Sequence, residues 1–225
     1  MSLSPLEWEA LQLSLKVALW AVGVSLPLGV AVAWLLVRCR FPGRFLLDGI
    51  VHLPLIVPPV VIGYLLLVLM GRRGALGAWL WESFGISVAF SWKGAAIAAG
   101  VMAFPLLVRA IRLGLEAVDP KLEEAARTLG APPFAVFLTV TLPLIIPSLM
   151  TGAILAFARS LGEFGATITF VSNIPGETRT LPLALYSAVQ SPGGETAALR
   201  LVVMSVLLAL VALIISEWLT RRARR

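Results

Sequence analysis

Arg159 and Glu163 sit four positions apart inside an apolar run. At that spacing on a helix, a guanidinium and a carboxylate can bridge and lower each other's cost. Ionisable groups at depth in a bilayer cost a few kcal/mol and usually face a bundle interior or water. Ser160 and Thr167 belong to the same expected polar stripe, set among Gly152, Ala153, Ala156, Gly162, Gly165 and Ala166, which are small enough for close helix packing. Two readings stand: a packing face held by a structural ion pair, or residues that line or gate a pathway. Arg159 would attract an anion and Glu163 would repel it, which suits a gate or latch better than a tight anion site. An intramembrane enzyme would need a nucleophile with its base, or paired acids. Glu163 has no Asp or His at similar depth. His52 is the single histidine, with no second ligand nearby, and is expected to be structural or interfacial. Cys39 is alone, so internal disulfides and CxxC motifs are absent. No Gly-x-x-x-x-Gly-Lys-Ser/Thr phosphate loop occurs, so ATP hydrolysis would need another chain.

A second group of residues suits mechanics rather than chemistry. Glu124-Ala125-Ala126 is followed by Gly130, Val140 and Leu142-Pro143, between strongly apolar segments. Asp119 is a good N-cap and Pro120 suits the first helical position. Gly130 can take a left-handed C′ conformation, and Pro132-Pro133 prevents continuation. The expected helix covers about 120–130, roughly 15 Å long. Leu122, Ala125, Ala126 and Leu129 form one stripe. Glu123 and Arg127 are expected to pair on another face. The two alanines allow close approach by a partner, and Glu124 offers it an acceptor.

These groups need a membrane to position them. The chain of 225 residues is 59% hydrophobic and 13% charged, with mean hydropathy +0.96. Soluble domains average about 25% charged residues. The net charge of +6 does not point to nucleic acid, because the basic residues cluster at the ends of apolar runs. Five spans are expected, at about 10–37, 46–70, 94–115, 144–171 and 197–219, long enough to cross a bilayer. The first follows Glu7 and Glu9 and is too long for a signal-peptide core, so it reads as a retained span. No internal repeat or linker appears, so residues 1–225 read as one domain. With Arg221, Arg222, Arg224 and Arg225 inside, the N-terminus is outside. The inner segments then hold more Lys and Arg than the outer ones, as the positive-inside rule requires. Trp79, Trp81 and Trp92 fall at the outer headgroup level.

The spacing from Glu124 to Pro143 resembles the EAA motif of permease subunits of ATP-binding-cassette importers. Val140 in place of Ile is the one departure. The segments His52-Leu-Pro-Leu-Ile-Val-Pro-Pro through Gly74, and Ala158-Arg-Ser-Leu-Gly-Glu-Phe-Gly-Ala-Thr through Pro182, look like the molybdate permeases of that superfamily. Sulfate permeases look similar too. The resemblance implies an all-α integral membrane protein of the type I importer permease fold, with a cytoplasmic coupling helix. It implies ATPase coupling through Glu123, Glu124, Ala125, Ala126, Arg127 and Gly130. It further implies a homodimer with two ATPase subunits, fed with molybdate or tungstate by a periplasmic or lipid-anchored binding protein. The setting would be a bacterial inner membrane, with ATP and magnesium held by the partner and no cofactor on this chain. A sulfate, thiosulfate or other oxyanion permease is the alternative substrate reading. An ion-coupled transporter or channel is the alternative class; its common signatures are inverted repeats and discontinuous half-helices, and no repeat is visible.

Pro54, Pro58 and Pro59 interrupt the second span. They read either as a simple packing kink or as a kink that shapes a central cavity. The outer segment 172–196 reads as an ordinary loop or as a contact for an external binding protein. Within it, Leu181 to Gln190 is expected to form a short interfacial helix. Arg72, Arg73, Asn173 and Arg179 are the candidates on that outer surface.

Overall fold

The computed structural model describes residues 4–223. Arg224 and Arg225, two of the arginines in the charge argument, lie outside them. The elements in order are α1 Pro5–Arg38, α2 Arg44–Ile56, α3 Pro59–Met70, α4 Ala75–Phe84, α5 Trp92–Ala117, α6 Pro120–Thr128 and α7 Pro133–Val136. A π-helical turn Phe137–Thr141 follows, then α8 Leu142–Leu161, α9 Gly165–Val171, α10 Leu181–Gln190 and α11 Glu195–Ala223. Among the described residues, four continuous helical stretches are long and apolar enough to cross a membrane: α1, α5, Pro133–Leu161 and the first part of α11. A fifth is counted if α2 and α3 are one bent span.

Local sequence sets many of the helix ends. Ser4 caps α1 in a capping box with Glu7, and Pro5 occupies the first position. Ser91 caps α5 by accepting from the Gly94 N–H. Buried within the bundle, α5 packs against α1, α8 and α9. Its first half presents Ala95, Ala96, Ala98 and Ala99, all buried, and these small residues let neighbouring backbones approach. Its second half presents Leu107, Val108, Ile111 and Leu115 to α1 and α8, forming a second cluster with Leu36 and Ile145. Glu7 and Arg200, 2.8 Å apart, tie the start of α1 to the start of α11. The segment Leu181–Gln190 is a helix, as expected, and its first N–H donates to Ser14 Oγ at 2.7 Å.

Two expected spans differ from single helices. The second, 46–70, is broken: α2 and α3 meet at 117°. Val57 ends α2 in an extended conformation with its N–H on Leu53 O. Pro58 has no N–H to extend the ladder, so it becomes the N-cap of α3, with Pro59 first inside. Pro54 does not break the chain; it lies within α2. The fourth, 144–171, starts earlier and ends earlier. The helical stretch runs from Pro133 through the π turn to Leu161, and α9 is a separate helix. Arg159, Ser160, Glu163 and Thr167 therefore do not share one helix; Glu163 stands in the break. Discontinuous helices are thus present, although no repeat accompanies them.

Candidate functional site

Side chains with functional potential gather at two places. The first is the foot around α6. Asp119 caps it by accepting from the Lys121 N–H at 3.0 Å. At its other end the Ala131 N–H reaches Ala126 O and the Gly130 N–H reaches Arg127 O. That pair of bonds is a Schellman closure, and it places Gly130 at φ +87°, where a glycine carries no Cβ penalty. Leu122 and Leu129 of the apolar stripe are 49% and 88% exposed, and Ala125 and Glu124 are exposed beside them. The stripe therefore faces away from this chain's own bundle.

Glu123 points the other way. Its expected partner was Arg127, but its carboxylate oxygen accepts from Arg38 Nη2 at 2.9 Å and from Thr141 Oγ1 at 2.7 Å. Arg38 ends α1 and also reaches Leu115 O in the last turn of α5, at 3.4 Å. Thr141 closes the π turn that leads into α8. Glu123 is buried, and Arg127 is left exposed. Two spans thus meet at one carboxylate of the foot, and Arg38 links a third, α5, to the same point. The helical i, i+4 rule favours the local pair because it ignores tertiary partners. A buried carboxylate gains more from an inward guanidinium and hydroxyl than from a solvated arginine. Nearby, Arg112 bridges Asp48 of α2 and Glu116 of its own helix at 3.2 and 2.8 Å. His52 Nδ1 lies 2.8 Å from Asp48 O.

The second place is where the two helix breaks meet. A Cβ on Gly63 of α3 would lie 2.5 Å from Ala166 O, and one on Gly165 would lie 2.8 Å from Pro59 Cβ. Glycine at both positions is what lets α3 and α9 touch. Arg159 Nη1 and Glu163 Oε2 are 2.6 Å apart, so the expected pair forms. The other carboxylate oxygen accepts from the Ala166 N–H at 2.8 Å. Glu163 therefore satisfies a backbone donor that the break would leave open. Its side chain is 2% exposed and that of Arg159 is 29% exposed, so the cation is the end of the pair that reaches outward. Ser160 and Thr167 are buried, and Ser160 Oγ has no partner among the described residues. Pro58, Pro59, Arg159, Glu163 and Thr167 thus belong to one region. Pro54 is directed elsewhere, into a groove against α1 and α5.

Of the outer candidates, Arg72 and Arg73 are exposed, with Arg72 stacked over Trp81 at 4.1 Å. Asn173 and Arg179 are taken up in the loop. Arg179 Nε donates to Asn173 Oδ1 at 2.9 Å, and Asn173 Nδ2 donates to Ser187 Oγ at 2.7 Å.

Broken apolar spans packed at their breaks, above a polar foot tied to three spans, define a membrane transport subunit. Residues 25–225 match the family described as binding-protein-dependent transport system inner membrane component, and the chain belongs to it. It is 64% identical to the molybdenum transport system permease protein ModB of Escherichia coli K12, over all of this chain and 98% of that one. The ModB of Haemophilus influenzae is 57% identical, over 98% and 96%. The sulfate transport system permease protein CysW of Synechocystis is 39% identical, over 95% of this chain and 77% of that relative. In solved structures, a bacterial ABC transporter for import of the acidic polysaccharide alginate matches with TM-score 0.78 at 16% identity, covering 98% of this chain and 80% of that one. The MetNI methionine transporter matches with TM-score 0.68 at 18% identity, covering 97% and 94%. These two likenesses establish the fold alone: an all-helical bundle arranged as in those transporters. The chain is a multi-pass inner-membrane protein.

Proposed function

We propose that this chain is the membrane-spanning permease subunit of an ATP-driven importer that carries molybdate into the cytoplasm. The observation that carries the reading is the 64% identity, end to end, with a molybdenum permease. In this reading two copies pair about a symmetry axis, because five spans do not easily enclose a pathway alone. Two ATPase subunits grip the exposed stripe of α6, with Leu122, Ala125 and Leu129 entering a cleft and Glu124 accepting a hydrogen bond at its edge. The foot is cytoplasmic and the N-terminus outside. A binding protein delivers the anion to the outer surface near Arg72 and Arg73.

Transport follows by alternating access. Closure of the ATPase pair brings the two α6 helices together. Glu123 passes that displacement to α1 through Arg38 and to α8 through Thr141. The contact of α3 with α9 then shifts, and the pathway opens outward; hydrolysis returns it inward. Arg159 with Glu163 forms the latch at the break. A weakly charged passage suits a dianion that must be released rather than held.

The test is molybdate uptake in cells lacking this chain, complemented by wild type or by Glu124→Arg, with sulfate as competitor. Uptake restored by wild type alone, and resistant to sulfate, supports the reading. Uptake abolished by sulfate would move the substrate to sulfate, the cargo named for the Synechocystis relative.

A further inference from the structure

A groove on the flank of the bundle has no part in this reading. It lies between α1, α2 and α5, with a volume of about 670 Å³. Trp20, Val24 and Leu28 form one wall, Ile97, Val101 and Phe104 the other. Ile50 and Pro54 of α2 also line it. Its floor is tight: a Cβ on Gly100 would lie 3.0 Å from Ser25 Oγ. Val24, Leu28 and Ile50 are each more than half exposed, so the groove is open along its side.

One end of the groove is different. Lys93 lines it there, beside Trp92. Lys16 places its Nζ 3.7 Å from the centre of the Trp92 ring, and Trp20 packs against the same ring at a tilt of 57°, with centroids 6.0 Å apart. Both lysines are exposed, and neither forms an ion pair among the described residues. A tryptophan ring attracts a cation without neutralising it. Tryptophans and lysines of this kind mark the level of lipid headgroups. From Trp92 to Phe104 the helix descends about 18 Å, close to the roughly 15 Å depth of one leaflet.

We infer that this groove is a binding site for an anionic phospholipid. The acyl chain lies along Val24, Leu28, Ile97 and Val101, and the phosphate rests between Lys16 and Lys93. An apolar trough one leaflet deep under a pair of unpaired cations matches the two halves of such a lipid. In the orientation proposed above, the lipid belongs to the outer leaflet. The inference does not depend on the transported anion.

The experiment places the full-length chain in nanodiscs of phosphatidylcholine mixed with an equal part of phosphatidylglycerol. A photoactivatable group is carried on the acyl chain of one lipid or the other, and labelled peptides are read by mass spectrometry. Phosphatidylglycerol is expected to label α1 near Val24 and α5 near Val101 in preference to phosphatidylcholine. Labelling should drop about fivefold for each lysine removed, in Lys16→Gln and Lys93→Gln. Leu28→Trp, which fills the trough and keeps both charges, should remove the label from α1. Equal labelling by both lipids would overturn the inference. So would labelling unchanged in the lysine variants, or no label near Val24 and Val101 from either lipid.

Discussion

Arg38 and Glu123 stand 85 positions apart in the chain and 2.9 Å apart in space. The pair joins the last turn of α1 to the first turns of α6, and Thr141 binds the same oxygen from the π turn. It is partly shielded, with side chains 20% and 11% exposed, so it is worth more than a surface ion pair. Removing Arg38 leaves a mostly buried carboxylate with the Thr141 hydroxyl alone. Arg38→Ala is expected to destabilise the foot by about 1–3 kcal/mol. Uptake should fall while ATP hydrolysis continues, because the foot still docks but no longer pulls on α1. Arg38→Glu combined with Glu123→Arg should recover part of the uptake that either single change loses. Parallel measurements of uptake and ATP hydrolysis in the four proteins decide it. Full uptake by Arg38→Ala would show that the foot transmits motion by another route.

Glu163 does two jobs that substitutions can separate. One oxygen meets Arg159 and the other accepts the Ala166 N–H. Glu163→Ala removes both, and uptake is expected to fall although the chain still inserts. Glu163→Gln keeps an oxygen acceptor for Ala166 and loses the charge facing Arg159. If the pair is a latch, Gln should transport as poorly as Ala. If the side chain only caps α9, Gln should transport like wild type. Normal uptake by Glu163→Ala would remove both roles.

How far the sequence announces these sites depends on how local their causes are. The cap at Asp119, Pro120 and the left-handed Gly130 is readable because each acts within one turn of the chain. The break at Pro58 is readable as an interruption, since two prolines withhold their donors, but not its 117° angle, which tertiary packing sets. The break after Leu161 went unread. By spacing alone Gly162 and Gly165 read as small packing residues, and Glu163 as a helical partner of Arg159. A Gly-Glu-Phe-Gly run within an apolar stretch was the available signal: glycines weaken a helix, and a carboxylate there can cap the next one. Arg38 with Glu123 had no local signal at all. Helical spacing offers Arg127 instead, and only the fold brings the end of α1 to α6.

Gly130 should tolerate residues according to their ease at positive φ. It sits at +87°, and nothing lies within 4 Å of an added Cβ, so the backbone alone decides. Gly130→Asn is expected to stay close to wild type, since asparagine visits the left-handed region. Gly130→Val should cost about 1–2 kcal/mol or more and loosen the Schellman closure. Substrate-stimulated ATP hydrolysis is the readout, and it should drop for Val only. Unaltered stimulation in Gly130→Val would argue against α6 as the coupling element.

The contact between the two breaks can be tested against a control in the same broken span. Gly63 and Gly49 both lie in helices, one in α3 and the other in α2. A Cβ at Gly63 would meet Ala166 O at 2.5 Å and both Ala166 Cα and Thr169 Cβ at 2.9 Å, while one at Gly49 would meet nothing within 4 Å. Backbone atoms cannot rotate away as a flexible side chain can. Gly63→Ala should therefore force α3 off α9, at about 1–3 kcal/mol, with a lower unfolding temperature in detergent and reduced uptake. Gly49→Ala should leave uptake unchanged and stabilise its helix by up to about 1 kcal/mol. The same chemical change then acts in opposite directions at two positions, so helix propensity cannot account for the result. If Gly63→Ala transports normally and is no less stable, α3 and α9 do not need this close approach, and the paired breaks are not the moving part.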